Sequence, residues 1–343
     1  MKLQNPHTNP IIRVAVAVIR HKDEFLLAMR KAHQHQGGKL EFVGGKIEQS
    51  ESAPSALIRE VQEEIGLDLQ TDQLVRFGVI RHDYPDKSVE LHIYQANLNN
   101  HQYQEFRHRT HGTEGQSLHW LGLSELLASA DRLPKANVRI IDWLSMPSQI
   151  IISHALAHFA GIDEFINYYV DKLPNHAWFY LRPQADLVTT MQIYRAMRSK
   201  RADVQMIAGD GLYRAYQDEM AGVVVKISAK TLAQCEDVAF GLTQDIPQDI
   251  PQDVRLLLGV HDEVEVQRAN RLAVNARVLA GLVSPVLPTL SHPDAPALSW
   301  DGFEKLASQL SMPAIALGGL SLCDNITAKQ HGAIAISGIR GFL

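Results

Sequence analysis

At 343 residues the chain is long for one domain and comfortable for two, and 45% hydrophobic with 21% charged residues is the balance of a soluble globular protein. A formal net charge of −5 gives no general attraction to a nucleic-acid backbone, so a free nucleotide suits it better than a polymer. Two distant cysteines, Cys235 and Cys323, exclude a disulfide framework or CxxC zinc pattern, and the N-terminal MKLQNPHTNPIIR lacks an apolar signal core. No run approaches membrane-spanning length, so a cytoplasmic protein with no membrane partner is expected.

Residues 11–19 (IIRVAVAVI) are β-branched and bounded by polar residues, which reads as a buried strand with 24–29 as its hairpin partner. Then comes GKIEQSESAPSALIREVQEEIGL, residues 45–67. Pro54 suits a first helical turn and Gly66 a helix stop; between them Ala56, Leu57, Val61 and Ile65 form an apolar stripe at helical spacing. Glu60, Glu63 and Glu64 fall at i, i+3 and i+4, so three carboxylates crowd one helical face. Such a face is either a solvated acidic surface or a site where hard divalent cations such as Mg²⁺ or Mn²⁺ remove the repulsion. Cations held there could clamp a diphosphate and activate water for attack on phosphorus. Gly44 and Gly45 would let the preceding loop approach metal and phosphates closely.

The stretch fits G-x5-E-x7-R-E-U-x-E-E-x-G-U (U aliphatic) without mismatch, at Gly45, Glu51, Arg59, Glu60, Val61, Glu63, Glu64, Gly66 and Leu67. At usages of roughly 5–10% per residue type, seven fixed letters coincide less than about once in ten million starts. It resembles the signature of the Nudix hydrolases, which cleave nucleoside diphosphates linked to a further moiety. The resemblance implies a catalytic set of Glu60, Glu63, Glu64, Arg59 and Glu51, with Arg59 orienting Glu51 through a bidentate pair. It also implies a mixed sheet packed by helices, to which strands near 74–81, 89–96 and 117–122 and helices at 124–130 and 137–144 would contribute.

Residues 39–48 (KLEFVGGKIE) resemble more specifically the 8-oxo-dGTP diphosphatases of the MutT type, with Val43 where proline is usual. That resemblance implies metal-side residues Gly44, Glu60, Glu63, Glu64 and, within TEGQ (113–116), Glu114. It implies a substrate pocket of Arg30, Phe42, Gly44, Gly45, Lys46 and, after LPKA (133–136), Asn137, whose amide offers a donor and an acceptor to an oxidised guanine. Each has a plainer reading: Asn137 as a helix N-cap, Glu114 as a loop acid, Phe42 as core, Arg30 as a surface charge. The activity implied is Mg²⁺-dependent hydrolysis of 8-oxo-dGTP, and of dGTP less well, to monophosphate and pyrophosphate, which would sanitise the nucleotide pool.

From Met146-Pro147-Ser148 strands alternate with helices, dividing the chain into 1–147 and 148–343. Strands are expected at 149–153, 178–182, 204–208, 222–227, 255–260, 278–283, 314–318 and 333–337, with helices at 164–173, 189–198, 263–272 and 300–309 among them. Eight such units predict a (β/α)8 TIM-type barrel, with its sites at the C-terminal ends of the strands. The few residues after the eighth strand leave no room for a full last helix. The tandem QDIPQDIPQDV (244–254) reads as an inert low-complexity loop, and His33, His35, His108 and His111 show no ligand spacing.

This half resembles thiamine phosphate synthase and its TenI-like relatives in FYLR (179–182), GLVSPV (281–286), ALGGL (316–320) and SGI (337–339). The resemblance implies a backbone phosphate cradle at Gly318, Gly319, Ser337 and Gly338. GDG (209–211) and VVVKIS (223–228) replace that family's NDR and VHLGQxD segments, so the second acidic metal ligand is missing. The barrel is therefore expected to bind a ligand or serve structurally without synthase activity. It also raises an alternative for the first half, a thiamine-related diphosphate as substrate.

Overall fold

The computed structural model describes residues 11–31, 37–83, 87–234, 250–289 and 296–343, which fall into two units, Met1–Ser145 and Met146–Leu343. The first unit runs β1 (Ile11–His21), β2 (Glu24–Met29), β3 (Leu40–Glu41), β4 (Val43–Lys46), α1 (Ala53–Ile65), β5 (Leu74–Asp83), β6 (Ser88–Asn97), α2 (Asn100–Phe106), β7 (Leu118–Gly122), α3 (Leu123–Ala128) and α4 (Lys135–Leu144). Its mixed sheet has the order β3-β2-β1-β6-β5, with β4 joined to β1 and β7 to β2. β1 and β6 pair in parallel, Val16 beside Ile93, while β4 lies antiparallel to β1 with Gly45 opposite Ala15.

Alternation along β1 sends Ala15, Ala17 and Ile19 into one core cluster with Leu57, Val61 and Ile65 of α1. Val16 and Val18, also buried, face the other way. Removing a fully buried side chain such as Leu57 from water contributes about 1.5–3 kcal/mol, so the apolar stripe is what fixes α1 across the sheet. The expected helix at 137–144 begins earlier, at Lys135, with Pro134 at its N-cap. α2 has no counterpart among the expected elements: NHQYQEF is nearly all polar, and a reciprocal capping box between Asn99 and Gln102 starts it instead of an apolar stripe.

In the second unit β8 (Gln149–Ile152), α5 (Ile162–Lys172), β9 (Trp178–Tyr180), α6 (Leu187–Lys200), β10 (Gln205–Gly209), α7 (Asp210–Tyr216), β11 (Val224–Ile227) and α8 (Ala229–Gln234) make the first four turns. They are followed by β12 (Arg255–Val260), α9 (Glu263–Asn275), β13 (Val278–Val283), α10 (Ser299–Gln309), β14 (Ala314–Leu317), α11 (Asn325–Gln330) and β15 (Ala333–Gly338). All eight strands pair in parallel and close on themselves, β15 beside β8. Ile207, Val224, Leu257, Ile315 and Ala335 fill the lumen as a packed core rather than a pore. Residues 339–343 form a turn, not a helix. α7, α8 and α11 are one or two turns long, too short to show a periodic stripe, which is why alternation of longer helices alone was expected.

His33, His35, Cys235 and most of the QDIPQDIPQDV repeat lie outside the described residues. Among the described residues no helix is long and apolar enough to cross a membrane.

Candidate active site

α1 starts where the Ser52 hydroxyl accepts from Ser55 N at 3.2 Å, with Pro54 in its first turn. It stops at Gly66, whose φ of 68° is left-handed and whose N–H donates to the Gln62 carbonyl. These caps, with the buried stripe, aim Glu60 and Glu64 at the β4 loop. A Cβ added at Gly45 would lie 2.0 Å from the Glu60 carboxyl carbon, and one at Gly44 2.1 Å from the Ala15 carbonyl oxygen. Gly45 is thus what lets the Glu60 carboxylate rest directly on the loop backbone, and Gly44 what lets that loop lie against β1.

Arg59 is the organiser. Its Nε and Nη2 donate to the two Glu51 oxygens at 3.1 and 3.0 Å, a fork on a carboxylate. Nη1 donates to Glu60 at 2.8 Å and to Glu63 at 3.2 Å, and Nη2 also reaches the Lys46 carbonyl at 3.1 Å. One guanidinium therefore ties three glutamates to the loop, and its hydrogen bonds hold the Glu51 carboxyl below its ordinary pKa. The Lys46 side chain itself is exposed.

Among the described residues Glu64 has no such cation. Burial pushes its pKa up to about 8, helped by the nearby charges of Glu41, Glu60 and Glu114, against a hydrogen bond from the Gly44 backbone. Glu41 was not among the expected site residues. It sits on β3 between buried Leu40 and Phe42, ion-pairs with Arg30, and is itself raised by burial. An acid in a buried strand just before the glycine pair was the available signal. Arg30 accordingly reaches the carboxylate cluster through Glu41.

The loop at 112–116 is docked on the C-terminal end of α1. Thr113 N and Gln116 Nε2 both donate to the Glu64 carbonyl at 2.9 Å, and the Thr113 hydroxyl donates to the Glu63 carbonyl. That docking brings Glu114 within range of Glu64, while its carboxylate pairs with Lys31 at 2.9 Å. Gln116 Oε1 is buried without a hydrogen-bond partner among the described residues.

Phe42 is 3% exposed and, by alternation with Val43 of the α1-side cluster, turns to the opposite face of the sheet. That face carries α4, where Trp143 meets Phe77 edge-on at 5.4 Å. Lys39 Nζ donates to the Leu133 carbonyl at 3.2 Å, bringing the β3 approach beside the turn into α4. Asn137 is the third residue of α4, is 8% exposed, and makes no side-chain hydrogen bond among the described residues. It caps nothing; Pro134 holds that position.

Among the described residues no three His, Cys, Asp or Glu side chains converge as metal ligands would, His108 and His111 included. The reason is visible in the pairings: Glu60 and Glu63 are drawn to Arg59, Glu41 to Arg30 and Glu114 to Lys31. A separate surface depression of about 660 Å³ is lined by Asp68, Gln73, Asn97 and Gln102, none of them part of this cluster.

In the barrel, the four residues expected to cradle phosphate are also packed closely against their neighbours. Ser337 is 1% exposed and donates to the Ile150 carbonyl at 3.1 Å, a bond across the closing strand pair. A Cβ at Gly338 would strike Phe342 at 2.3 Å, and Cβ atoms at Gly318 and Gly319 would meet Pro285 and Pro288 at 2.7 and 2.6 Å. These glycines are needed for close approach of chain to chain.

Two family models match the chain: "NUDIX domain" over residues 14–143 and "Thiamine monophosphate synthase" over residues 243–342. The chain is 34% identical over 131 residues to the 8-oxo-dGTP diphosphatase of Escherichia coli (strain K12), spanning 38% of this chain and 93% of that protein. It is 31% identical over 117 residues to the CTP pyrophosphohydrolase of the same organism, 34% of this chain and 80% of that one. With the thiamine-phosphate synthase of Prochlorococcus marinus subsp. pastoris it shares 30% identity over 94 residues, 26% of this chain but 27% of the synthase. The chain is a Nudix hydrolase that carries a thiamine-phosphate synthase/TenI domain at its C-terminus.

Proposed function

We propose that residues 1–147 hydrolyse 8-oxo-dGTP, and dGTP less well, to the monophosphate and pyrophosphate, using Mg²⁺ or Mn²⁺. The carrying observation is the acidic cluster at the glycine loop: Glu60 lies on Gly45, and Glu64 is pushed up to about 8 beside Glu41, Glu60 and Glu114. Such an acidic cluster suits a hard divalent cation: released from their pairs with Arg59 and Lys31, Glu60, Glu63 and Glu114 would hold it together with Glu64 and the Gly44 carbonyl. Bound there, such a cation supplies charge neutralisation for the leaving pyrophosphate and acidifies the attacking water.

The chain's own residues do the rest. Arg59 fixes Glu51, Glu60 and Glu63 in one array, so the carboxylates are ordered before substrate arrives. Arg30 sits behind Glu41 and balances one of the negative charges. Asn137, with an uncommitted amide on the Phe42 face of the sheet, suits the base edge, where one donor and one acceptor read the oxidised purine.

Residues 148–343 have, in this reading, a ligand-binding or structural role without synthase activity. The test is pyrophosphate release with Mg²⁺ from 8-oxo-dGTP, dGTP, CTP and thiamine-related diphosphates. We expect 8-oxo-dGTP to have the highest kcat/KM. A preference for CTP would move the base assignment, and a preference for a thiamine diphosphate would overturn the reading.

A further inference from the structure

Lys226 lies on β11 and, like Val224 two residues before it, points into the barrel lumen. Its register partner on β10 is Gly209. On its other side, a Cβ added at Gly259 of β12 would meet Lys226 Nζ at 3.2 Å and His261 Cε1 at 3.7 Å. Two glycines thus leave space around one lumen lysine, at the strand end where barrels of this kind place their chemistry.

The surroundings are those of a nucleophile with proton carriers. Asp210, 8% exposed at the end of β10, is fixed by the Thr231 and Ser228 hydroxyls and by Arg214 at 3.7 Å. His261 follows β12, and Glu265 accepts from both its Nδ1 and its backbone N–H at 2.7 Å, fixing the ring. Asp210, Arg182 and Glu265 are the charges felt at Lys226, yet its ammonium makes no hydrogen bond or ion pair among the described residues. Burial holds its pKa below the ordinary lysine value, so more of it is neutral amine at a given pH. Arg182 and Arg340 stand exposed just beyond β9 and β15, neither paired with a carboxylate among the described residues. Two guanidinium groups at one mouth suit a doubly charged phosphate.

We propose that the C-terminal mouth of the barrel is a second active site, at which Lys226 forms an imine with a small phosphorylated aldehyde or ketone. Neutral Nζ bonds to the carbonyl carbon, and the C=O electron pair moves to oxygen, which takes a proton. The resulting carbinolamine loses its hydroxyl as water while nitrogen gives up a proton, so one amine and one carbonyl become one C=N and one water. His261, held by Glu265, borders the same space beside Gly259 as Nζ, and in this proposal it carries those protons.

The probe is pyridoxal 5′-phosphate, equimolar with the full-length protein at pH 7, followed by sodium borohydride and peptide mass analysis. Hydride adds to the imine carbon and leaves a stable secondary amine. We expect Lys226 to carry at least about tenfold more label than Lys230, an exposed lysine four residues on. Pyridoxal without phosphate should label Lys226 about tenfold less. Lys226→Arg should lose that label, and His261→Ala should slow its appearance. Equal labelling of Lys226 and Lys230 overturns the proposal, as does binding of the probe without a reducible adduct. Equal labelling by pyridoxal removes the phosphate requirement and with it the proposed substrate class. The comparison with Lys230 is internal to the wild-type chain, so it stands even where a variant fails to fold.

Discussion

At the first unit's acidic site Glu51, Glu60 and Glu63 are drawn to Arg59, Glu41 to Arg30 and Glu114 to Lys31, while Glu64 has no ion pair among the described residues. At the barrel mouth the situation is reversed: among the described residues Lys226 has acids around it but no hydrogen bond or ion pair, and Arg182 and Arg340 beyond it have no carboxylate partner. The first site carries surplus negative charge, which calls for a cation; the second carries surplus positive charge, which calls for an anion. The two also differ in how they are built. The acidic site hangs on one helix face and one arginine, so a single side chain can disorganise it. The lysine site is distributed over the ends of β10, β11 and β12, so no single anchor holds it.

The sharpest way to break this contrast is Glu64→Gln. If the buried acid is central, kcat for pyrophosphate release should fall by about 10²–10³-fold, as when a positioned transition-state partner is removed. A variant that retains more than about a tenth of the turnover would remove Glu64 from the centre. Arg59→Lys comes next. Lysine keeps the charge but loses the fork, so Glu51, Glu60 and Glu63 can no longer be held together. We expect activity to drop about 10–100-fold with a rise in the Mg²⁺ concentration needed for half-maximal rate, the signature of a positioning role. An unchanged Mg²⁺ requirement would reduce Arg59 to a surface ion pair. Asn137→Ala should cost about tenfold in the ratio of kcat/KM for 8-oxo-dGTP over dGTP, one lost polar contact's worth. Equal ratios in variant and wild type would take Asn137 out of the base pocket.

How much of this was legible in the sequence follows from the range of the forces involved. α1 was readable because its stripe, its caps and its three acids are all local in sequence, and β12 and β13 were readable because they are continuous apolar runs between polar breaks. α2 was not, because a capping box and tertiary packing, not periodicity, sustain it. Glu41 carried one local signal, an acid in a buried strand before the glycine pair, but its charge effect on Glu64 comes from a helix later in the chain, which positions 39–42 do not state. The barrel glycines show the converse. Gly318, Gly319 and Gly338 were expected as a phosphate cradle from the sequence; the structure adds that each makes room for Pro285, Pro288 or Phe342, which sequence proximity does not reveal in full. Lys226 drew attention only as a departure from a pattern; its setting between Gly209 and Gly259 is a property of strand register.

The contrast has a thermodynamic side too. The folded-state pKa of Glu64 is about 8 against an ordinary 4.5, so between these values the folded chain binds a proton the unfolded chain has released. Stability contributed at this position is therefore greatest below about pH 4.5 and is lost as pH rises through 8. With divalent cations chelated, the wild-type Tm should fall by a few °C, roughly, between pH 6 and 9 beyond the trend in Glu64→Gln. Parallel curves for the two proteins would show that the glutamate is not held against its charge.

The smallest effect separates a cation that stabilises the fold from one that merely occupies the site. Lys31 pairs with Glu114 at 2.9 Å, but the side chains are 35% and 49% exposed. A pair so open to solvent contributes about 0–1 kcal/mol, so Lys31→Met should leave Tm within about 2 °C of wild type. Function should respond differently. Glu114 lies near Glu64, and an ammonium on its carboxylate competes with any divalent cation that Glu114 helps to hold. Removing the competitor should lower the Mg²⁺ concentration for half-maximal pyrophosphate release by about 2–5-fold, the equivalent of roughly 0.4–1 kcal/mol. Glu114→Gln should move that concentration upward. If Lys31→Met raises it instead, the lysine serves the substrate phosphates rather than the acid, and the acidic site would have its own resident cation after all.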